Sequence, residues 1–402
     1  MKTADFAACV LICLRNRAEN GQNSPFVSVP DVEEEQTLAL ALALRERGRA
    51  KPTLVCLKNS WLHTCALEMR LPVLTVGGSW AGNPLLLLRL WNWQRRNETL
   101  LIQTVGVESL DLGYRMLRMR REGGAVLVHA FFLRPPPPEI CGSKMLCSAH
   151  GILCGSEYVR RHIVKAWEKT VRNAPDRRFF KDRAAPADED KLVLLSPGID
   201  VNAYTQAPEW EEGRHFVFGM GSSLTPRSGA RAAVRAMAAI WQRHDAPLWE
   251  VRMVGAGPLY AELLEEATNL GVASRLCLLN DQYMPDVLEG CHAWLVPGTA
   301  FDERPDALWA GFASFLPVIC SRSGLHLERL HGHEDAALML EDNNPQALAH
   351  AMLNIMLDAR LRDRLVSRAG ALRERAGFER MTAQAYRLFT VFFQRYIGKQ
   401  MP

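Results

Sequence analysis

The segment GMGSSLTPRSG, residues 219–229, gathers hydroxyl-bearing residues around three glycines at the point where an apolar run gives way to a helix-forming one. A turn of that kind offers backbone amides and the positive end of a helix dipole to a phosphate. It also serves merely to close a strand–helix unit, so the turn alone leaves both readings open. VGAGP, residues 254–258, is a second tight turn, in which Gly255 and Gly257 relieve the steric limits on the backbone. It lacks the full dinucleotide-binding spacing, and no GxGxxG follows the first apolar run, which disfavours an NAD site. Charges concentrate at Asp302, Glu303, Arg304 and Asp306, between a buried-strand pattern and a helical one. Such a cluster marks either a site or a solvated loop in which Asp302 or Asp306 caps the helix. His129 ends the apolar run AVLVHA, which places it at the carboxyl edge of a sheet, where ligands gather in α/β folds. No metal is expected. Cys141, Cys147 and Cys154 lack ligand spacing, and His326, His331 and His333 fall in a loop among Arg and Glu.

These residues need elements to position them. Phe6 to Leu14 reads as a buried first strand, followed by strands at 52–57, 71–76, 100–105, 125–130, 152–156 and 192–200. Helical stretches separate them. LALALAL at 38–44 alternates like a strand but has no β-branched residue, so a helix is expected, capped by Asp31 and ended by Gly48. Another helix opens at Asn83 and Pro84, and a third runs through Arg121. Residues 177–191 read as a surface loop. From Phe216 the pattern restarts with FVFGMG, WEVRMVGAG, RLCLLN, AWLVPG and FLPVICS. Short apolar strands alternating with helices specify parallel sheets covered on both faces.

The totals agree with two such units. The 402 residues exceed one compact core. With 48% apolar and 23% charged residues the chain can fill two cores, and extended disorder is excluded. A net charge of +4 does not indicate a nucleic-acid partner. Nine Lys or Arg against three acids do, however, crowd residues 160–183. The ten scattered cysteines read as reduced, mostly buried thiols. The run at 6–14 is too short to span a bilayer, and no other run approaches that length. A cytoplasmic protein is expected. The helix PLLLLRLWNWQRR at 84–96, with Arg89, Arg95 and Arg96, adds peripheral contact with an anionic surface at the inner face of a membrane.

Taken together, the second half resembles the retaining group 1 (family 4) glycosyltransferases. SPGID (196–200) resembles that family's NGID element, SSLTPRSG (222–229) its GRLxxxKG loop, and VGAGPLYAELLEEATNLG (254–271) its VGxGP strand and helix. RPDALWAGFASFLPVI (304–319) resembles its acidic motif and the GxPVI strand, and the likeness continues through SGLHLERL (323–330) and NNPQALAHAM (343–352). In the first half it rests on VLVHA, with His129 as the family's cleft histidine, and on GSEYVRRHIV (155–164). The resemblance implies a GT-B α/β fold of two doubly wound, Rossmann-like domains facing a cleft. It implies an acceptor-side domain over 1–205, a nucleotide-sugar domain over 206–380, and a helix within 381–402 that crosses back to the first.

It further implies transfer of a sugar from a nucleoside diphosphate sugar to a cell-envelope lipid, polysaccharide or other glycan acceptor, with retention and with neither metal nor cofactor. His129, Asp302 and Glu303 are the implied catalytic positions. Gly221, Ser223, Arg227, Ser228, Gly229, Gln282, Arg304, Pro305, Asp306 and Ala310 are the implied nucleotide-sugar contacts. Three departures stand out. Ser223 and Ser228 replace the arginine and lysine that neutralise the diphosphate, with Arg227 or Arg231 available instead. Ala310 replaces the acid that meets the ribose, and Asp31 and Val32 replace paired glycines at the start of the first helix. The alternative is therefore a degenerate relative acting as a binding or assembly subunit.

Overall fold

The computed structural model describes residues 6–14, 32–46, 50–77, 84–97, 101–119, 125–133, 135–173, 190–221, 223–243, 245–280, 282–298, 306–341 and 344–396. Asp31, Gly48, Arg121, Asp302, Glu303, Arg304 and Pro305 lie outside them, as does most of the loop expected at 177–191.

Seven strands form the first sheet: β1 (Phe6–Cys13), β2 (Ala50–Leu57), β3 (Val73–Val76), β4 (Leu101–Val105), β5 (Val126–Phe131), β6 (Gly151–Cys154) and β7 (Leu192–Leu194). Six form the second: β8 (Phe216–Gly221), β9 (Trp249–Val254), β10 (Leu276–Leu279), β11 (Ala293–Val296), β12 (Val318–Ser321) and β13 (Ala337–Leu340). Their orders are β3-β2-β1-β4-β5-β6-β7 and β10-β9-β8-β11-β12-β13. Every pairing is parallel. The central strands β4, β5 and β8 are buried at every position, as a sheet covered on both faces requires. In both sheets the first strand sits inside, and the strand order reverses beside it.

The alternating 38–44 stretch lies in the helix Val32–Glu46, so helix propensity outweighs the strand-like alternation. The helices Trp61–Glu68, Pro138–Cys141 and Lys144–Cys147 and the strand β13 carry too short a pattern to be read from sequence. All ten cysteines are free thiols, eight of them buried. No helix among the described residues is long and apolar enough to cross a membrane.

The chain divides into two compact units, one comprising Met1–Pro197 with Met381–Pro402 and the other Gly198–Arg380. The last helix, Phe378–Tyr396, joins the first unit through its side chains. Phe392 is 1% exposed and its ring fills the space over Gly151, where a Cβ would come within 2.4 Å of it. The Gln384 amide donates to the Leu194 carbonyl at 3.0 Å, and Arg395 pairs with Asp190 at 3.2 Å.

A two-bond clasp recurs in both units. His150, directly before β6, donates its amide to the Leu127 carbonyl (2.8 Å), and its Nδ1 accepts from the Leu127 amide (3.0 Å). His292, directly before β11, does the same with Val217, at 2.8 and 2.9 Å. Both imidazoles must be neutral to accept at Nδ1. Burial, with Lys191 adding to it, lowers His150 to about 4. Burial together with Arg252 and Arg362 lowers His292.

Candidate functional site

In the second sheet β8 and β11 are neighbours, yet the chain leaves β8 toward β9 and leaves β11 toward β12. Such a reversal opens a crevice at the carboxyl ends of the two strands. The loop after β8 is 223–229, and the loop after β11 leads into the acidic segment.

The first loop is anchored from behind. The Leu224 amide donates to the Ala256 carbonyl at 3.0 Å, and the Leu224 carbonyl accepts from Leu259 at 3.1 Å. A Cβ on Gly257 would stand 2.4 Å from the Leu224 carbonyl oxygen, so only glycine lets the two turns approach. At the other end Gly229 caps the helix Ala230–Trp241 with φ of 78°, in the left-handed region. A Cβ there would come within 2.8 Å of the Pro297 ring. Gly229 thus brings the loop after β8 against the start of the loop after β11.

Ser228 is 3% exposed, and its hydroxyl donates to the Thr225 carbonyl (2.8 Å) and accepts from the Ala230 amide (3.3 Å). It closes the loop and takes up one of the helix's four unsatisfied amides. Among the described residues the amides of Arg227 and Gly229 have no backbone acceptor. Arg227 is exposed and forms no ion pair among those residues. Arg231 is different. It pairs with Glu262 on the helix Tyr260–Asn269, along the outer face. The structure therefore separates two arginines that the sequence left equivalent. Ser223 is half-buried at the start of the loop.

Of the remaining implied contacts, Gln282 is exposed after β10. Gly221 has a packing reason to be glycine, because a Cβ there would press on Met284 at 2.8 Å and on the Trp294 ring at 2.9 Å. Asp306 opens the helix Asp306–Ala313, on which Ala310 is fully buried in the same core as Trp309 and Phe312. Two anchors around this segment were missed from sequence. The Trp294 indole donates to the Ala307 carbonyl at 2.6 Å, tying the first turn of that helix to β11. The buried Ser321 hydroxyl donates to the Gly298 carbonyl, and the buried His326 holds Ser321 through Nδ1 and the Ser321 carbonyl, at 2.8 Å. SGLHLERL carried the signal for His326, a lone histidine between apolar residues at a helix start.

In the first unit β5 runs on to Phe131, so His129 sits two residues inside the carboxyl end expected for it. It is fully buried and stands edge-on to Phe131, with ring centroids 4.3 Å apart. Its Nδ1 shares a 2.5 Å hydrogen bond with Thr104 Oγ1 on β4, while Nε2 has no partner among the described residues. Burial pushes its pKa down to about 3, so the imidazole is neutral.

Residues 215–358 match the family model for glycosyl transferases group 1. The second unit carries a glycosyl transferases group 1 domain. The matched stretch opens one residue before β8 and closes beyond β13, so this group 1 domain holds the whole second sheet and both crevice loops. No curated protein matches the chain in sequence. Among solved structures, a glycosyltransferase from Rickettsia africae ESF-5 superposes with a TM-score of 0.72 at 14% identity, over 97% of this chain and 99% of that one. Anabaena Alr3699/HepE, in complex with UDP and glucose, does so with 0.70 at 16%, over 96% and 100%. The lipopolysaccharide outer core galactosyltransferase WaaB gives 0.58 at 10%, over 98% and 100%. At these identities the likeness is one of fold, and the fold is GT-B type, with two parallel Rossmann-like sheets.

Proposed function

We propose that the protein is a glycosyltransferase that moves a sugar from a nucleoside diphosphate sugar to a lipid-linked or other glycan acceptor of the cell envelope, with retention and on the cytoplasmic side of the membrane. One observation carries the donor assignment. The loop 223–229, at the strand-order reversal, keeps the Arg227 and Gly229 amides and the Arg227 guanidinium beside the start of a twelve-residue helix. That set suits a diphosphate: the amides and helix dipole fix the anion, and a charge-assisted bond from Arg227 replaces the missing lysine. Developing charge on the departing diphosphate would be met by these fixed donors, so the proposed chemistry requires no metal or cofactor. The group 1 match and the UDP-glucose complex of Anabaena Alr3699/HepE support the same reading.

Within it Asp302 and Glu303 would act on the donor sugar, and Arg304, Pro305 and Asp306 would contact the nucleotide sugar, as the sequence resemblance implies. His129, sealed in the first sheet, positions the end of β5 through Thr104 rather than touching substrate. A second reading has support of its own. Ser228 is spent on its own loop and Ala310 is buried, so the fold could be retained as a binding subunit.

The test is calorimetry with UDP, GDP and ADP, their sugars, and the bare nucleosides, followed by assays of transfer and hydrolysis. Diphosphate binding with turnover of a sugar nucleotide is expected. Arg227→Ala should weaken the diphosphate at least tenfold, the loss of one charged hydrogen bond, and leave the nucleoside unchanged. Equal loss for both ligands would remove Arg227 from the phosphate site. Silence across the panel would leave the binding-subunit reading.

A further inference from the structure

The helix Pro84–Asn97 has more apolar surface than the first sheet covers. Its inner face carries Leu90 and Gln94, 1% and 3% exposed, and Leu90 belongs to the core cluster of the first unit. A second stripe runs along residues 85, 88, 89, 92 and 96, spaced as one side of a helix. Leu85 and Leu88 on it are 75% and 52% exposed. Buried helices hide such residues, and ordinary surface helices replace them with polar ones.

The stripe is also the wall of a groove. Leu85, Leu88, Arg89, Asn92, Trp93 and Arg96, with Leu74 of the edge strand β3, enclose about 530 Å³. Arg95 adds a third guanidinium, 4.8 Å above the Trp91 ring. The helix has no Asp or Glu, and none of the three arginines forms an ion pair among the described residues. The other basic stretch is different: Arg160 and Arg161 are both bound to Glu157, and Arg172 to Glu168. Unneutralised cationic charge and exposed leucines thus coincide on this one helix face.

We infer that this face docks on the surface of an anionic phospholipid bilayer, with Leu85 and Leu88 entering the acyl boundary and Arg89, Arg95 and Arg96 meeting lipid phosphates. Charge complementarity selects the occupant. A second copy would set three guanidiniums against three others if the same face were used, and a purely apolar partner would leave them desolvated. An interfacial helix combines these two groups of side chains in this way. The inference stands apart from the donor chemistry, since nothing in it depends on the group 1 domain.

The experiment is vesicle co-sedimentation of the full chain with phosphatidylglycerol–phosphatidylcholine mixtures and with phosphatidylcholine alone, at 50 and 500 mM salt. Partitioning should rise with phosphatidylglycerol and fall at high salt, because screening shortens the reach of the arginines. Arg89→Gln with Arg96→Gln should lower it roughly thirtyfold, about what two cationic contacts near an anionic surface contribute. Leu85→Ser with Leu88→Ser should lower it at least tenfold at unchanged charge. Both pairs are exposed, and unchanged melting curves would show that the variants fold. No vesicle binding at 50 mM salt, or binding indifferent to the leucines, overturns the proposal. So does a doubling of mass in solution that the leucine variant abolishes, which would assign the face to a second copy. Stabilisation by inorganic phosphate without vesicle binding would assign the arginines to a free anion, and also overturns it.

Discussion

Gly257→Ala is expected to lower the melting temperature by roughly 6 to 12 °C and to abolish diphosphate binding. The added methyl group would stand 2.4 Å from the Leu224 carbonyl oxygen and 2.8 Å from its amide nitrogen. These are backbone atoms, so no side chain can swing away. Relief requires breaking the Leu224–Ala256 and Leu259–Leu224 hydrogen bonds that hold the loop 223–229 to the turn after β9. A cost of roughly 3 kcal/mol, in the range of severe overpacking, gives that shift for a unit of this size. The matched control is Gly324→Ala, where a Cβ would meet nothing within 4 Å. Differential scanning calorimetry and a nucleotide titration on both variants decide it. Wild-type melting in Gly257→Ala would mean that the two turns do not touch in solution. Lost stability with retained diphosphate affinity would mean that the anion is held elsewhere.

Acid should unlock the two histidine clasps. His150 falls from the ordinary imidazole value to about 4 on folding, and His292 falls too, each chiefly through burial. In the unfolded chain both bind a proton near 6.5, so between that pH and the folded value the unfolded state holds more protons. Stability is full above 6.5 and drains away as the pH falls toward 4. For His150 alone the loss approaches about 3 kcal/mol at the bottom of that window, at 1.36 kcal/mol per pKa unit. Melting temperatures from pH 7.5 to 4.5 should therefore drop well beyond a carboxylate-only profile. Asparagine offers a carbonyl oxygen where Nδ1 accepts but does not titrate. His150→Asn with His292→Asn should be less stable at pH 7.5 and flatter with pH, leaving the smaller slope of His129. A profile parallel to wild type would place the acid sensitivity outside the clasps.

The same histidines mark how far sequence reasoning reached. Apolar strands alternating with helices are long-range patterns, and they were enough for two parallel sheets. The clasps needed a comparison of HGILC with HAWLV, each a histidine just ahead of an apolar strand, and only the three-dimensional register shows that both close on the strand alongside. His129 was located to within two residues, but whether a strand stops at Ala130 or Phe131 depends on the neighbouring strand, and one turn of the pleat decides edge or interior. The loop 223–229 was legible from its glycines. The reasons were not: Gly221 answers to Trp294 across the sheet, whereas Gly229 answers to its own left-handed backbone. Arg227 and Arg231 could be told apart only by Glu262, thirty-one positions further on from Arg231. Asp302 and Glu303 rest on the sequence resemblance alone.

The seating of Phe392 over Gly151 bears on the order of synthesis. The chain passes out of the first unit at Pro197 and re-enters it at Met381, so everything between is translated before the first unit can close. The second unit draws core residues from as far on as Leu372 and Ala376, so its sequence is complete before the last helix that covers Gly151 has been made. The earlier-made sheet must wait with β6 uncovered at Gly151, where the Phe392 ring will sit. A stalled or prematurely terminated nascent chain would then hold a finished second half and an unfinished first, and the first half would be the part that chaperones retain.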